Sequence, residues 1–408
     1  MSPRCARFLP LALLGLLACG GGGDGGSRTA PPQPPTIEAF QASKGTLVAG
    51  EACLLTWNVT GAERLSLEPG DLDLTVNDGV FVVPQASASY TLRAANADGS
   101  TSRSLSLQVS GAFPAHQVDH QALLEDLRQL SSPALGGRVA GTPGGARARA
   151  MLAARLQAFG YAVTEAPWTR QGYLGTNVCA QITGSFIPDE VILVSAHYDH
   201  IAASPGADDN GSGAAALLRL AQYLKAHPPA HTVLFALFDG EEEGLLGSEA
   251  FVADPPVALA RIRLVLNLDM MGRSDFGSLG VLGTRWSPAL KPFVEAAAQP
   301  LGLPLTFGYD GSPEDLTPYS DQYPFHLQGI PFLFLCDIDH PDYHTSRDTY
   351  RRISADFYGK GVETALGLLR ALDARSDLAT LLPRITPLRP LGAPFPLQNR
   401  PRVVRPAA

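Results

Sequence analysis

Three things are scarce in this 408-residue chain, and each scarcity narrows what it can do. No segment concentrates Lys and Arg, and the net charge is -8 with a pI near 5.6. Phosphate backbones are held by dense cations, so this balance argues against a nucleic-acid partner. Cysteine is rare. Beyond Cys5 and Cys19 only Cys53, Cys179 and Cys336 remain, an odd and widely spaced set that builds no disulfide framework. They read as small buried apolar residues, and a Cys179 to Cys336 bridge stays open only if their strands are neighbours. Long apolar runs are the third absence: the stretch from Phe8 to Ala18 is too short to cross a bilayer as a helix. What is present is 45% hydrophobic sequence, enough for a large core, at a length that suggests two or three domains of ~100 to 200 residues.

Arg4 and Arg7 precede the short apolar stretch, as in an export signal. Leu16-Leu17-Ala18-Cys19 resembles a bacterial lipobox, which implies a signal peptide over residues 1 to 19, lipidation of Cys19 and a Gly/Pro-rich tether over 20 to 35. The expectation is an exported bacterial lipoprotein, anchored to the outer membrane or held at the cell surface or in the periplasm, touching lipid only through that anchor. Residues 36 to 110 then show short alternating strands with turn signals at Thr60-Gly61, Pro69-Gly70, Asp78-Gly79 and Asp98-Gly99. Trp57 and Tyr90 are placed as in bacterial immunoglobulin-like domains, so this segment resembles a small all-β sandwich of that kind, with a spacer role.

From residue 115 to about 375 amphipathic helical runs alternate with apolar β-rich runs, the pattern of an α/β domain. Strands are predicted at 191 to 196, 232 to 238, 262 to 268 and 331 to 335, and helices at 119 to 130, 146 to 158, 213 to 226, 287 to 298 and 355 to 372. Their nearly continuous apolar character predicts a doubly wound, mainly parallel sheet covered by helices on both faces. The tail from 376 to 408 carries Pro and Arg without a period and reads as extended or weakly ordered.

Five residues of metal-binding type follow the predicted strands in order: His197, Asp209, Glu242, Asp269 and His344. Ligand crevices of doubly wound sheets lie at the carboxyl ends of strands, where such residues converge. Two imidazoles and three carboxylates suit Zn²⁺, and the odd carboxylate lets one group bridge two ions.

The blocks HYDH from 197, PGADDNGSG from 205, EEEGLLGS from 241, NLDMMG from 267 and YHTSRDT from 343 resemble those of the M28 family of zinc aminopeptidases, as does LGGRVAGTPGGARA upstream. The resemblance implies a zinc exopeptidase-like fold and two Zn²⁺ ions. It implies that Asp209 bridges them, with His197 and Asp269 completing one site and Glu242 and His344 the other, and that the Asp209–Asn210 bond is cis. The resemblance further implies that Asp199 accepts the other N–H of the His197 imidazole. By the same resemblance Glu241 is expected to be the general base for a metal-bridging hydroxide that cleaves N-terminal residues from peptides with a free amine. Tyr343 is the choice for an oxyanion donor, while Tyr309 and Tyr319-Ser320-Asp321 read as substrate wall. Asp348 reads as a support of the His344 loop, Glu243 as a solvated charge, and His200 and His340 as loop residues. His116, His120, His227, His231 and His326 have no partner spacing and read as surface or packing residues. Two rivals stand beside the exopeptidase: glutaminyl cyclase of the same fold, and an inactive surface binding protein. Oligomeric state is not legible.

Overall fold

The computed structural model describes residues 33 to 387, except 76–77, 113–115, 203, 311–314 and 339. The export signal, the Cys19 anchor and most of the tether lie outside the described residues. Eight strands come first: β1 (Thr36–Ala42), β2 (Thr46–Ala49), β3 (Cys53–Thr60), β4 (Arg64–Glu68), β5 (Leu72–Asp73), β6 (Gly79–Val82), β7 (Ala88–Asn96) and β8 (Gly99–Ala112). They form two sheets, β1-β3-β6 and β2-β8-β7-β4-β5. Because side chains alternate across a strand, Cys53 and Leu55 of β3 and Tyr90, Leu92 and Ala94 of β7 point inward, where they share one core with Phe40, Leu67, Val80 and Leu107.

The edge of β6 is not left open. Gln121 Oε1 accepts the Val83 N–H at 2.8 Å, Gln121 Nε2 donates to the Phe81 carbonyl at 3.1 Å, and the Phe81 N–H donates to the Tyr350 hydroxyl at 3.2 Å. Phe81 and Ala52 enter the core of the α/β body itself. Covering an edge strand this way removes a free row of backbone groups and ties the sandwich to the body.

The body opens with α1 (His120–Leu130), whose cap Asp119 accepts the Ala122 N–H at 2.9 Å, and α2 (Pro143–Ala158), started by Thr142 with Pro143 in the first turn. Then follow β9 (Val163–Arg170), β10 (Tyr173–Ile182), β11 (Ile187–His197), α3 (Gly213–Ala226), β12 (His231–Phe238), α4 (Leu246–Ala253), β13 (Ile262–Leu268), β14 (Leu279–Leu282), α5 (Lys291–Ala298), β15 (Leu305–Phe307), α6 (Gln322–Leu327), β16 (Phe332–Cys336), α7 (Ala355–Asp373) and α8 (Leu378–Leu381). The sheet order is β15-β14-β16-β13-β11-β12-β10-β9. Its centre, β16-β13-β11-β12, is parallel, and all eight residues of β12 are buried, as a strand covered on both faces requires. The flanks join this centre antiparallel, through the β10–β12 pair with its β9–β10 hairpin and through the β14–β16 pair, and β15 pairs in parallel with β14 at the outer edge.

Two expectations change. Cys179 lies on β10 and Cys336 on β16, with β12, β11 and β13 between them, so at ~4.8 Å per strand no bridge can form; both cysteines, like Cys53, are free and buried. The first part of the tail is also ordered. α8 forms, Leu382 is buried, and the Ile385 N–H donates to the Gly329 carbonyl at 2.9 Å, so the body continues to the last described residue.

Candidate metal centre

The chain runs from β11 to β12 on one side and then returns to place β13 on the other, so the carboxyl end of β11 is where the winding reverses. β11 ends on His197 and β13 one residue before Asp269. Their register pairs Ser195 with Asn267, which brings the two site residues side by side: His197 Nε2 is 3.2 Å from Asp269 Oδ1. Ser320 donates to the other oxygen, Asp269 Oδ2, at 2.6 Å, and so fixes which one faces the imidazole.

Asp209 comes from the loop between β11 and α3, and the Asp209–Asn210 peptide is cis. Asn210 knits this loop to the end of β13: its Oδ1 accepts the Gly213 N–H at 2.8 Å and the Met270 N–H at 3.2 Å, and its Nδ2 donates to the Leu268 carbonyl at 2.9 Å. A Cβ at position 213 would lie 2.1 Å from that carbonyl, so only glycine allows the approach. Asp348 grips the loop from the opposite side. Its two oxygens accept the N–H groups of Asp208 at 2.9 Å and Asp209 at 3.1 Å. The expected support of the His344 loop is thus a support of the Asp209 loop.

Glu241 and Glu242 follow β12 after a turn, and their N–H groups donate to Asp199 Oδ1 at 3.1 Å and Oδ2 at 3.2 Å. Asp199 Oδ1 is also 3.4 Å from His197 Nδ1, a long contact, so this carboxylate positions the glutamate turn as well as facing the imidazole. His344 adopts φ 54, and Met270, next to Asp269, adopts φ 63. For residues with a side chain the left-handed region costs roughly 1 to 3 kcal/mol, a strain that functional sites hold against the surrounding structure. Tyr343 stacks on His344, ring centroids 3.8 Å apart and planes 20° apart.

These elements bring all five expected ligands together. Asp209 Oδ1 is 3.3 Å from His197 Nε2, while its Oδ2 is 3.0 Å from His344 Nε2, which in turn is 3.1 Å from Glu242 Oε2. One potential ligand atom each from Asp209, Glu242 and His344 lie within 4.8 Å of one another, and so do those of His197, Glu241 and Asp269. All are buried except His344, whose side chain is 21% exposed, so solvent reaches the cluster from its side.

So much buried charge shifts several of these groups. Burial pulls the His344 imidazole down, but the carboxylates of Asp209 and Glu242 outweigh it and raise it to about 10. Burial and the Asp209 charge raise Glu242 to about 7, and burial with the Asp208 charge does the same to Asp348. Burial would also raise Asp209, yet the two imidazoles hold it well below the usual carboxylate range. Glu242 Oε1 and His344 Nε2 are buried without a hydrogen-bond partner. Divalent cations would satisfy those atoms and replace the protons that otherwise balance the charge.

Several residues around the site escaped the sequence. Arg138 is fully buried and donates to the carbonyls of Tyr198, Leu130, Pro205 and Gly206, while its own N–H donates to His200 Nε2 at 2.9 Å, so Arg138 and His200 together hold the loops before Asp209. Asp208 turns away from the cluster: its Oδ1 accepts the Gly272 N–H at 2.7 Å and its Oδ2 faces His340 Nε2 at 3.2 Å, beside Asp337. Ser320 and Asp321 are fully buried beneath the site and do not form a substrate wall, and Phe325 is core. A signal existed for Arg138, since an arginine inside a glycine-rich segment is an unusual core residue.

Residues 177–369 match the sequence model of Peptidase family M28. Aminopeptidase YwaD of Bacillus subtilis is 34% identical over 191 residues, which are 41% of this chain and 38% of that protein. The chain thus covers well under two thirds of that relative's length. Among solved structures, a zinc aminopeptidase from Bacillus subtilis superposes with a TM-score of 0.55 at 19% identity, over 62% of this chain and 95% of the other. A glutaminyl cyclase from Porphyromonas gingivalis superposes with a TM-score of 0.56 at 23% identity, over 62% and 99%. At such identities the two structures establish the shared α/β fold alone. The segment that carries all five converging side chains, residues 177–369, is thus the part of the chain that resembles peptidase family M28.

Proposed function

We propose that the protein is a zinc exopeptidase with two ions, an aminopeptidase that removes N-terminal residues from peptides with a free amine. One observation carries the reading. Asp209 presents a different oxygen to each of two imidazoles, Oδ1 to His197 and Oδ2 to His344, as suits a carboxylate shared by two cations. His197 and Asp269 then serve one ion, and Glu242 and His344 the other.

Bound there, the ions would supply Lewis acidity that polarises the scissile carbonyl and makes water acidic enough to lose a proton near neutral pH. Glu241, held by Asp199 through its backbone and 1% exposed, takes that proton and returns it to the departing amine. Tyr343 braces the His344 ring by stacking and remains the candidate oxyanion donor. The side at His344, the one ligand partly open to solvent, admits the substrate.

The test is a screen of free-amine aminoacyl amides against N-blocked peptides and N-terminal glutaminyl peptides, with and without a chelator. Chelator-sensitive release of the amine from free-amine substrates supports the reading. Pyroglutamate formation without amide hydrolysis would replace it with the cyclase. Absence of both activities in zinc-loaded protein would favour a binding protein.

We also propose that the sandwich is an immunoglobulin-like spacer and that Cys19 carries a lipid. Incorporation of labelled palmitate that survives Cys19→Ala would refute the anchor.

A further inference from the structure

A second cluster of metal-binding type lies where the sandwich joins the body. His116 belongs to the connector after β8, His120 opens α1, and Glu363 lies on α7. One potential ligand atom from each lies within 4.8 Å of the others. His120 Nε2 is 3.4 Å and His116 Nδ1 3.9 Å from Glu363 Oε1. Atoms that share a tetrahedral Zn²⁺ at about 2.0 to 2.1 Å lie roughly 3.4 Å apart, so little movement is needed.

Three features prepare these groups for a cation. His116 Nε2 lies 3.2 Å from the Gly50 carbonyl, which can only accept, so this nitrogen carries the proton and Nδ1, on the Glu363 side, carries the lone pair. A metal-bound imidazole has this arrangement, its outer N–H given to a backbone carbonyl. His120 is 8% exposed, and its Nε2 is buried without a hydrogen bond although a carboxylate is close. Glu363 is fixed rather than mobile: its Oε1 accepts the N–H groups of Gln117 at 2.7 Å and Val118 at 3.0 Å, which holds the carboxylate charge against both imidazoles.

The fold also shapes the space. The two imidazole rings stack with centroids 3.6 Å apart, and Gly359, one turn before Glu363 on α7, makes room for His120, since a Cβ there would lie 2.5 Å from its Cε1. The geometry points to a divalent-cation site of the zinc class formed by His116, His120 and Glu363, with water completing the coordination, that fastens the connector and the Gly50 turn of the sandwich to α1 and α7. It is separate from the candidate centre and does not depend on the hydrolase reading.

Protein stripped with a chelator and titrated with Zn²⁺ alone, followed by elemental analysis, tests the site. Wild type should retain one equivalent more zinc than His116→Gln or His120→Gln, with hydrolysis of the aminoacyl amide unchanged and a higher melting temperature in zinc that the variants lose. Equal zinc content in wild type and both variants would overturn the proposal. Should the variants fail to fold, anomalous scattering at the zinc edge from wild-type crystals decides: a peak between the three side chains supports the site, and a map without one overturns it.

Discussion

The two clusters of imidazole and carboxylate differ in how the chain holds them. At the ends of β11, β12 and β13 the ligands stand on the last residue of β11 and on the loops around it, charge is dense enough to move Glu242 to about 7 and His344 to about 10, and two backbones occupy the left-handed region. At the sandwich junction a single carboxylate meets two imidazoles, fixed by backbone N–H groups and helix packing. Strain, charge excess and a solvent-facing side mark a place built for chemistry. A charge-lean cluster on rigid elements is built for fastening.

The largest effect that tests this contrast is Glu241→Gln. It should lower turnover by about 10² to 10⁴ while zinc content stays at the wild-type value, since the change removes a proton acceptor and not a proposed ligand. Activity near wild type would take Glu241 out of its role. Next comes the comparison of adjacent aspartates. Asp209→Ala should lose zinc at both positions of the candidate centre, whereas Asp208→Ala, whose side chain faces His340, should keep it; elemental analysis after dialysis reads the outcome, and reversed zinc counts would show the bridge misassigned.

Asp348→Asn should weaken zinc binding about 10- to 100-fold in a competition titration, because one of its two acceptor oxygens becomes an amide that cannot accept the loop N–H. An unchanged affinity would show that the loop needs no such grip.

Protons offer a gentler probe. In the metal-free protein Glu242 titrates at about 7 and His344 at about 10, both above their ordinary values, so both hold protons below about 7 and His344 alone of the two between those values. Zinc must displace them. Affinity at the candidate centre should therefore rise with pH, more steeply below about 7 than above it, and calorimetry in buffers of different ionisation heat should register proton release. A flat profile would contradict the charge balance described for the site. The smallest effect is structural: Asp119→Ala should cost about 1 kcal/mol in denaturant unfolding by removing the α1 cap, without changing turnover.

Much of the body was legible because its signals are local. α3 begins and ends at the predicted residues 213 and 226, and β13 spans the predicted 262 to 268, since buried parallel strands and their crossover helices carry long apolar runs. β9 was not legible: it is mostly exposed on the sheet edge, with polar residues and Pro167 that blur its period. β14 and β15 are only four and three residues long, too short for a pattern to emerge. Among site residues, the five expected ligands stood out because each follows a recognisable strand or motif. Asp348, Arg138 and Ser320 act through hydrogen bonds to partners far along the chain, a relation that no window of sequence displays.

The order of the long buried strands and their crossover helices, their apolar faces and the identity of the chemically apt side chains follow from the sequence alone, because periodicity and residue type are properties of short segments. Distance is not such a property. That Asp209 reaches both His197 and His344, that Asp208 turns the other way, and that His116 and His120 meet Glu363 were decided only when packing brought segments far apart in the chain to within a few ångströms.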